Sequence, residues 1–217
     1  MTDVLKLTSL PLFPLGTVLF PGGILPLQIF EVRYLDMVGK AFKAGAPFGV
    51  VLLTQGTEVR KPTPQGNSAF AQEAFHAVGT LATIAHLESP QAGLMVIQCT
   101  GTQRFEVTRS EQLRHGLWIA DVHCRVADLA VEIPPDLRAA AAALQQLIQN
   151  LKNRNPQAST PPVLEPYRLN DCGWVANRWC ELLPIPPDLK QRLMALDNPL
   201  VRLELVHDIL QKTGIAT

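Results

Sequence analysis

The stretch LPLFPLGTVLFPGGILPLQIF, Leu10 to Phe30, decides how the chain is read. It is nearly all apolar and about as long as the ~20 residues that a membrane-spanning helix needs. Pro11, Pro14, Pro21 and Pro26 interrupt it, and Gly22-Gly23 breaks it again. Each proline inside a helix removes a backbone hydrogen bond and clashes with the preceding turn, at roughly 3 kcal/mol apiece. A signal peptide wants a basic leader, yet Lys6 is the only basic residue ahead of the run and Asp3 opposes it. The stretch therefore predicts short extended pieces at Leu5–Phe13, Thr17–Phe20 and Leu25–Phe30. Leu15-Gly16 and Pro21-Gly22-Gly23 supply the turns. Apolar strands joined by Pro/Gly turns form the inner wall of a β-structure. The expectation is no transmembrane segment and a cytoplasmic location.

The rest of the composition agrees with a packed fold. Of 217 residues, 47% are hydrophobic and 18% charged, which supplies a core and argues against disorder. Lys plus Arg and Asp plus Glu number 19 each. A chain with no net charge exerts no long-range pull on nucleic acid or on an anionic membrane. The four cysteines, Cys99, Cys124, Cys172 and Cys180, form no C-x-x-C pair. They read as reduced, buried thiols rather than metal ligands.

Past the opening strands, Glu31 to Lys43 places Leu35, Val38 and Phe42 at helical spacing and predicts one amphipathic helix ending near Gly45. FGVVLLT after Pro47 reads as a buried strand. Residues 55–76 read as a long loop. Strands are expected at Val78–Leu87, Leu94–Thr100 and Gln103–Arg109. Leu117–Val126 alternates, with Trp118, Ala120, Val122, Cys124 and Val126 on one face and Asp121, His123 and Arg125 on the other. The character changes at Ile133-Pro134-Pro135. Leu137, Ala141, Leu144, Ile148 and Leu151 make a helical stripe, and the linker NPQASTPPVLEP follows. Asp171 caps a helix running to about Leu183. Pro186-Pro187-Asp188 opens another with Leu189, Leu193 and Leu196 on one face. Asn198-Pro199 caps a last one with Leu200, Leu203, Val206 and Leu210. Strands first and helices later indicate α+β in two segregated parts, residues 1–130 and 131–217.

Motifs for chemistry are absent. Gly39-Lys40 is followed by Ala41 inside a helical pattern, so no phosphate loop forms, and G-x-G-x-x-G, G-x-S-x-G and H-E-x-x-H do not occur. His123 adjoins Cys124, but strand neighbours point to opposite faces and cannot serve one site as base and nucleophile. No catalytic residue, metal ligand or cofactor is expected. Basic residues do not form a stripe with aromatics, so no nucleic-acid partner is expected. One polar cluster stands out: Glu31 and Arg33 flank a strand–helix junction, and Arg104-Phe105 follows the turn Gly101-Thr102-Gln103. Glu31 is expected to meet Arg33 or Arg104 in a charge-assisted contact that holds this junction.

LPLFPLGTVLFPGGILPLQIFEVRYLDMV resembles the opening signature of the LON N-terminal domain family. GTQRF, residues 101–105, is similar to that family's glycine–x–x–Arg–Phe segment. Lys190-Gln191, Leu193-Met194 and Arg202-Leu203 stand where its helical pattern has Lys-Gln, two leucines and Arg-Leu. The resemblance implies an N-terminal PUA-like β pseudobarrel with one helix, followed by a C-terminal helical bundle. In the ATP-dependent Lon proteases this domain precedes an AAA+ ATPase and a Ser–Lys protease domain and helps select substrate proteins. It also occurs within larger eukaryotic proteins such as cereblon. The present sequence holds neither a Walker motif nor a protease motif, and it reads as a stand-alone LON-domain protein.

The expected function is non-catalytic recognition of protein or peptide segments, in the service of proteolysis or quality control, with a separate protease or ATPase as partner. Phe20, Pro21, Phe70 and Phe75 are the candidate contact residues. Two rival readings are a small hydrolase or transferase using the outer face of residues 117–126, and a PUA-like RNA-binding module. A pocket joining His123 to a carboxylate would favour the first, and a positive concave face the second.

Overall fold

The structure, a computed structural model, describes residues 5–56, 73–154 and 161–215. Its contacts divide the chain into two units, Met1–Val126 and Ala127–Thr217. The first carries β1 (Lys6–Leu15), β2 (Ile24–Ile29), α1 (Val32–Ala44), β3 (Phe48–Gln55), β4 (Ala74–Phe75), β5 (Val78–Gln91), β6 (Leu94–Gln112) and β7 (Trp118–Cys124). The sheet order is β1-β7-β6-β5-β3-β4, mostly antiparallel. Leu12–Leu15 of β1 also lies parallel to Gly49–Leu52 of β3. That pairing closes β1, β7, β6, β5 and β3 into a ring, so these strands present no open edge there. This is the pseudobarrel. β2 stands outside the ring and pairs with β6.

β1, β3, β5 and β6 carry apolar residues on two faces because each face meets a different core, whereas the outer face of β7 carries Asp121 and the exposed His123. Leu10, Leu12, Val51, Leu81, Phe105, Ala120, Val122 and Cys124 fill the barrel interior. Phe13, Leu15, Val50, Phe48, Ala82, Ile97 and Cys99 face the other way, against Ile29 and against Tyr34, Met37 and Val38 of α1. The uninterrupted run FGVVLL is the consequence: neighbours on β3 alternate between two cores, and neither face meets water.

The segment GTQRF makes this arrangement possible. Along β6, Arg104 pairs with Thr80 and Gly101 with Ala82, so three steps on β6 answer two on β5. The extra residue is a β-bulge, and it flips the inward face. Ile97 and Cys99 before it serve the outer core, whereas Phe105 after it serves the barrel. Gln103 Nε2 donates to the Arg125 carbonyl at 2.8 Å and Thr102 Oγ1 to the Leu81 carbonyl at 3.2 Å, fixing the bulge. The Phe105 ring tip lies 2.7 Å from where a Cβ on Gly49 would sit and 2.6 Å from one on Gly79. Both glycines leave room for it. Gly101 N–H donates to the Gly23 carbonyl at 2.9 Å, and Gly22 N–H to the Gly101 carbonyl at 2.8 Å. A Cβ on Gly101 would run into the Phe20 carbonyl oxygen.

Several local expectations change. Thr17–Phe20 is not a strand. Leu19 and Phe20 are buried, and the Leu19 carbonyl accepts from the buried Thr80 hydroxyl at 2.6 Å, so a side chain replaces the ladder. Leu94–Thr100 and Gln103–Arg109 are one strand, because a bulge bends a strand without ending it. The expected loop 55–76 contains β4, whose Phe75 pairs with Leu53. In α1 the buried set is Arg33, Tyr34, Met37, Val38 and Ala41, and Phe42 is 44% exposed. The inward face is turned by about one residue from the expected Leu35–Val38–Phe42 stripe because the Tyr34 ring stacks on Phe13, centroids 4.0 Å apart. Gly45, at φ 60°, ends the helix as a left-handed cap. Val126 lies beyond the end of β7 and is exposed.

The second unit comprises a 3-10 turn at Pro135–Leu137 followed by α2 (Arg138–Arg154), α3 (Cys172–Leu182), α4 (Pro187–Ala195) and α5 (Pro199–Thr213). On α2 the buried residues are Ala140, Leu144 and Ile148; Ala141 and Leu151 are half-buried. Asp171 caps α3, accepting the Trp174 N–H at 2.8 Å. Asn198 caps α5, accepting from Leu200 N–H at 3.0 Å. Residues Cys172 to Cys180 are all buried, and Trp179 Nε1 donates to the Ala140 carbonyl at 2.9 Å, tying α3 to α2. On α4 the buried residues are Gln191, Leu193 and Met194 rather than the expected Leu189–Leu193–Leu196 row. The reason is Arg202 of α5, 1% exposed. Its guanidinium donates to the Leu193 carbonyl at 2.9 Å, to the Leu196 carbonyl and to Asn177 Oδ1 at 3.0 Å, and it pairs with Asp128. It thereby places a cation and its donors on the carbonyls at the C-terminal end of α4, where the helix dipole favours positive charge. Near the end of α3, Arg178 Nε stands 2.7 Å from Glu181 Oε2, and Lys190 Nζ donates to the Glu181 carbonyl at 3.1 Å. Burial nevertheless pushes the Glu181 carboxyl up to about 7, outweighing the pull of Arg178 and Lys190.

Two tests follow from this packing. Gly101→Ala forces the Phe20 backbone away from β6, and the expected cost is about 1–3 kcal/mol in urea unfolding; an unchanged midpoint would refute the close approach. Glu181 holds its proton more tightly folded than unfolded, so its contribution to stability is complete below the ordinary carboxyl value of 4.5 and is lost as the pH rises through about 7. Stability is expected to decline across that window, and Glu181→Gln to flatten the decline when unfolding is measured at both ends of it.

Candidate functional site

The junction of β2 and α1 gathers the polar and apolar features that a partner would meet. Arg33 lies in the first turn of α1 with its side chain 4% exposed. Its Nε donates to Glu31 Oε2 at 2.9 Å, and its Nη1 to the Gly116 carbonyl at 2.8 Å. Both terminal nitrogens reach Glu73 Oε1 at 3.3 Å. Glu73 is equally buried and also accepts from Trp118 Nε1 at 2.8 Å. The guanidinium carbon sits 4.5 Å from the Tyr34 ring centroid. One arginine thus joins the start of α1, the residue ahead of β4 and the β6–β7 connection. A buried guanidinium shared by two carboxylates and a carbonyl has most of its donors used, as a buried charge requires.

Above this network lies a groove of about 80 Å³. Phe13 and Leu15 of β1 form one side, and Leu27, Gln28 and Ile29 of β2 the other. Phe30, Glu31 and Tyr34 close it at the helix start. Phe30 is 53% exposed and Val32 is 81% exposed. Large apolar side chains held in water beside an apolar groove are what a partner-binding surface offers.

Of the sequence-predicted contact residues, Phe20 is wholly buried and packs the core, so it is corrected to a structural residue; its backbone lies on Gly101. Pro21 is half-exposed in the turn. Phe75 is half-buried and meets Trp118 edge-on at 5.3 Å. Phe70 lies outside the described residues. Glu31 takes Arg33 as its partner, while Arg104 is buried in β6 and its carbonyl accepts from Arg125 N–H at 2.8 Å. Glu73, in the stretch 55–76 that reads from sequence as a loop, is a member of the network. Its partners are 40 and 45 positions away, and no local spacing could have announced them. Phe30 and Val32 were legible only as parts of a strand and a helix.

The outer face of residues 117–126 offers less. His123 is exposed and Cys124 is 3% exposed, on opposite sides of β7. Burial raises the thiol pKa of Cys124 and Cys172 and pushes those of Cys99 and Cys180 up to about 12, so none is a thiolate near neutral pH. A polar cleft of about 100 Å³ lies beside Asp121, between Ser9 and Ser110, and His123 is not in its wall. Among the described residues, no three His, Cys, Asp or Glu side chains converge as a metal site requires, and no helix is long and apolar enough to cross a membrane.

Arg33→Met would leave Glu31 and Glu73 facing one another without their cation. The expected cost is about 3–5 kcal/mol in urea unfolding. The double variant Arg33→Met/Glu73→Leu is expected to recover part of that loss, and strictly additive losses would show that the pair does not interact.

Residues 9–212 match the ATP-dependent protease La (LON) substrate-binding domain family. The chain is 27% identical over 209 residues to a Lon protease of Paraburkholderia phytofirmans, covering 95% of this chain and 24% of that protein. It therefore spans about a quarter of that relative's length. Its structure resembles the crystal structure of a Lon N-terminal domain protein from Xanthomonas campestris, with TM-score 0.69 and 30% identity over 93% of this chain and 98% of that one. It shares the fold of the N-terminal domain of a Mycobacterium avium complex Lon protease, with TM-score 0.54 and 17% identity over 92% and 96% of the two chains. The match is thus to the substrate-binding domain and not to a catalytic one, and this chain belongs to the LON substrate-binding domain family.

Proposed function

We propose that this protein recognises segments of other polypeptides and presents them for proteolysis or quality control, without transforming them itself. The observation that carries this reading is the neutral, apolar groove at the β2–α1 junction, with Phe30 and Val32 exposed beside it. Family membership supports it, since the family is described by substrate binding. The cysteines add support, because their raised thiol pKa values leave them unsuited to nucleophilic chemistry near neutral pH. The work would take place in the cytoplasm, alongside a separate protease or ATPase. A net charge of zero favours polypeptide over RNA as the partner.

Fluorescence anisotropy with a labelled, reduced and carboxymethylated globular protein tests the reading. Binding is expected for the unfolded probe and not for its native form. Phe30→Ser with Val32→Ser is expected to weaken it roughly tenfold while leaving thermal stability unchanged, because both side chains are exposed. No affinity for any unfolded chain, or turnover of a substrate by a defined group, would overturn it.

A further inference from the structure

We infer that the outer edge of β2 receives an extended, uncharged apolar segment of another polypeptide as an added strand, its side chains entering the adjoining groove. This rests on the recognition reading above and specifies its mode. Among the described residues β2 pairs only with β6. The ladder begins where Gly101 N–H donates to the Gly23 carbonyl, and Ile24 stands opposite Thr100. Antiparallel ladders alternate, so Leu25, Leu27 and Ile29 exchange bonds with β6. Ile24, Pro26 and Gln28 then turn their backbone groups outward. Pro26 agrees with this assignment, since a residue without an N–H is tolerated only where the ladder does not need it. Among the described residues, nothing takes the outward N–H and carbonyl of Gln28 or the outward carbonyl of Pro26.

The groove follows this edge rather than one face of the strand. Leu27, Gln28 and Ile29 all line it, although consecutive strand residues point to opposite faces. A cleft running along the strand's side touches all three. An occupant therefore meets backbone donors and acceptors together with apolar side chains, the combination that strand addition satisfies. Charge selects within that class. Among the described residues, Glu31 is the only charged side chain lining the groove, and Arg33 already holds it at 2.9 Å. A charged side chain entering the groove would lose its hydration and gain no counter-charge.

The test uses an acetylated, amidated, fluorescent peptide of about eight residues in which leucine and serine alternate. Two further versions carry N-methyl groups on alternate residues, in one register or the other. One register is expected to lose roughly tenfold or more in affinity, through lost backbone hydrogen bonds, while the other binds as the parent does. Gln28→Pro in the full chain removes the outward N–H without touching the bonds to β6, and it is expected to weaken parent-peptide binding similarly, whereas Gln28→Ala, which trims the side chain and keeps the N–H, is expected to bind as the parent protein does. Should the proline variant fold poorly, the methylated peptides decide by themselves. Equal binding of all three peptides, or binding of unfolded protein but not of the parent peptide, overturns strand addition and leaves the recognition reading intact. No binding of either probe removes both. A dimer of the free protein that Gln28→Pro dissolves would assign the edge to a second copy and overturn the inference.

Discussion

The barrel unit depends on one inserted residue. Without the bulge at Thr102-Gln103, β6 would keep a single inward face, and either Ile97 and Cys99 or Phe105 would be turned the wrong way. With it, one strand serves two cores. Phe105 can then occupy the space that Gly49 and Gly79 leave open, and Gly101 can accept the backbone of Phe20 to Gly23 against it. The segment after Gly16 is thereby held without being a strand, and β2 starts at a defined place on β6. The position of the groove is set by the same few residues that fill the barrel, although none of them lines it.

A second constraint is how buried charge is compensated. In each unit a buried arginine gathers distant chain segments with its guanidinium: Arg33 in the first, Arg202 in the second. Arg33 draws in Glu31, Glu73 and the Gly116 carbonyl, while Arg202 draws in Asp128, Asn177 and the carbonyls at the end of α4. Such networks contribute little net energy over apolar packing, but they penalise alternatives, since any other arrangement strands a charge in a dry place. At the β2–α1 junction this has a functional side. Arg33 neutralises Glu31 from below, so the groove above can be apolar without a repelling charge in its wall.

Much of the fold was legible because it rests on local chemistry. Prolines 11, 14, 21 and 26 exclude a helix wherever the chain goes. Asp171, Asn198 and Gly45 mark helix ends because capping depends on residues within a turn. The candidate site was legible only in part. Glu31 and Arg33 are two positions apart and could be paired on sight. Phe20 misled, since an aromatic in a Pro/Gly turn is ordinarily at the surface, and only its seat on Gly101 explains why it is buried. The helix stripes drifted by a residue in α1 and α4 for a similar reason. Periodicity finds an apolar face, but the stacking of Tyr34 on Phe13 and the reach of Arg202 to α4 decide how that face is turned.

Read residue by residue, the chain already says that the opening run is extended, that strands give way to helices and where most helices begin. These follow from backbone sterics and from contacts within a few residues. Which side chains share a site depends instead on how remote strands meet. Glu73 meets Arg33 across 40 positions, and Phe13 comes to line a groove with Ile29 and Tyr34, because barrel closure brings remote segments together. Closure depends on the register of whole strands, and register is a property of pairs that no single stretch of chain contains.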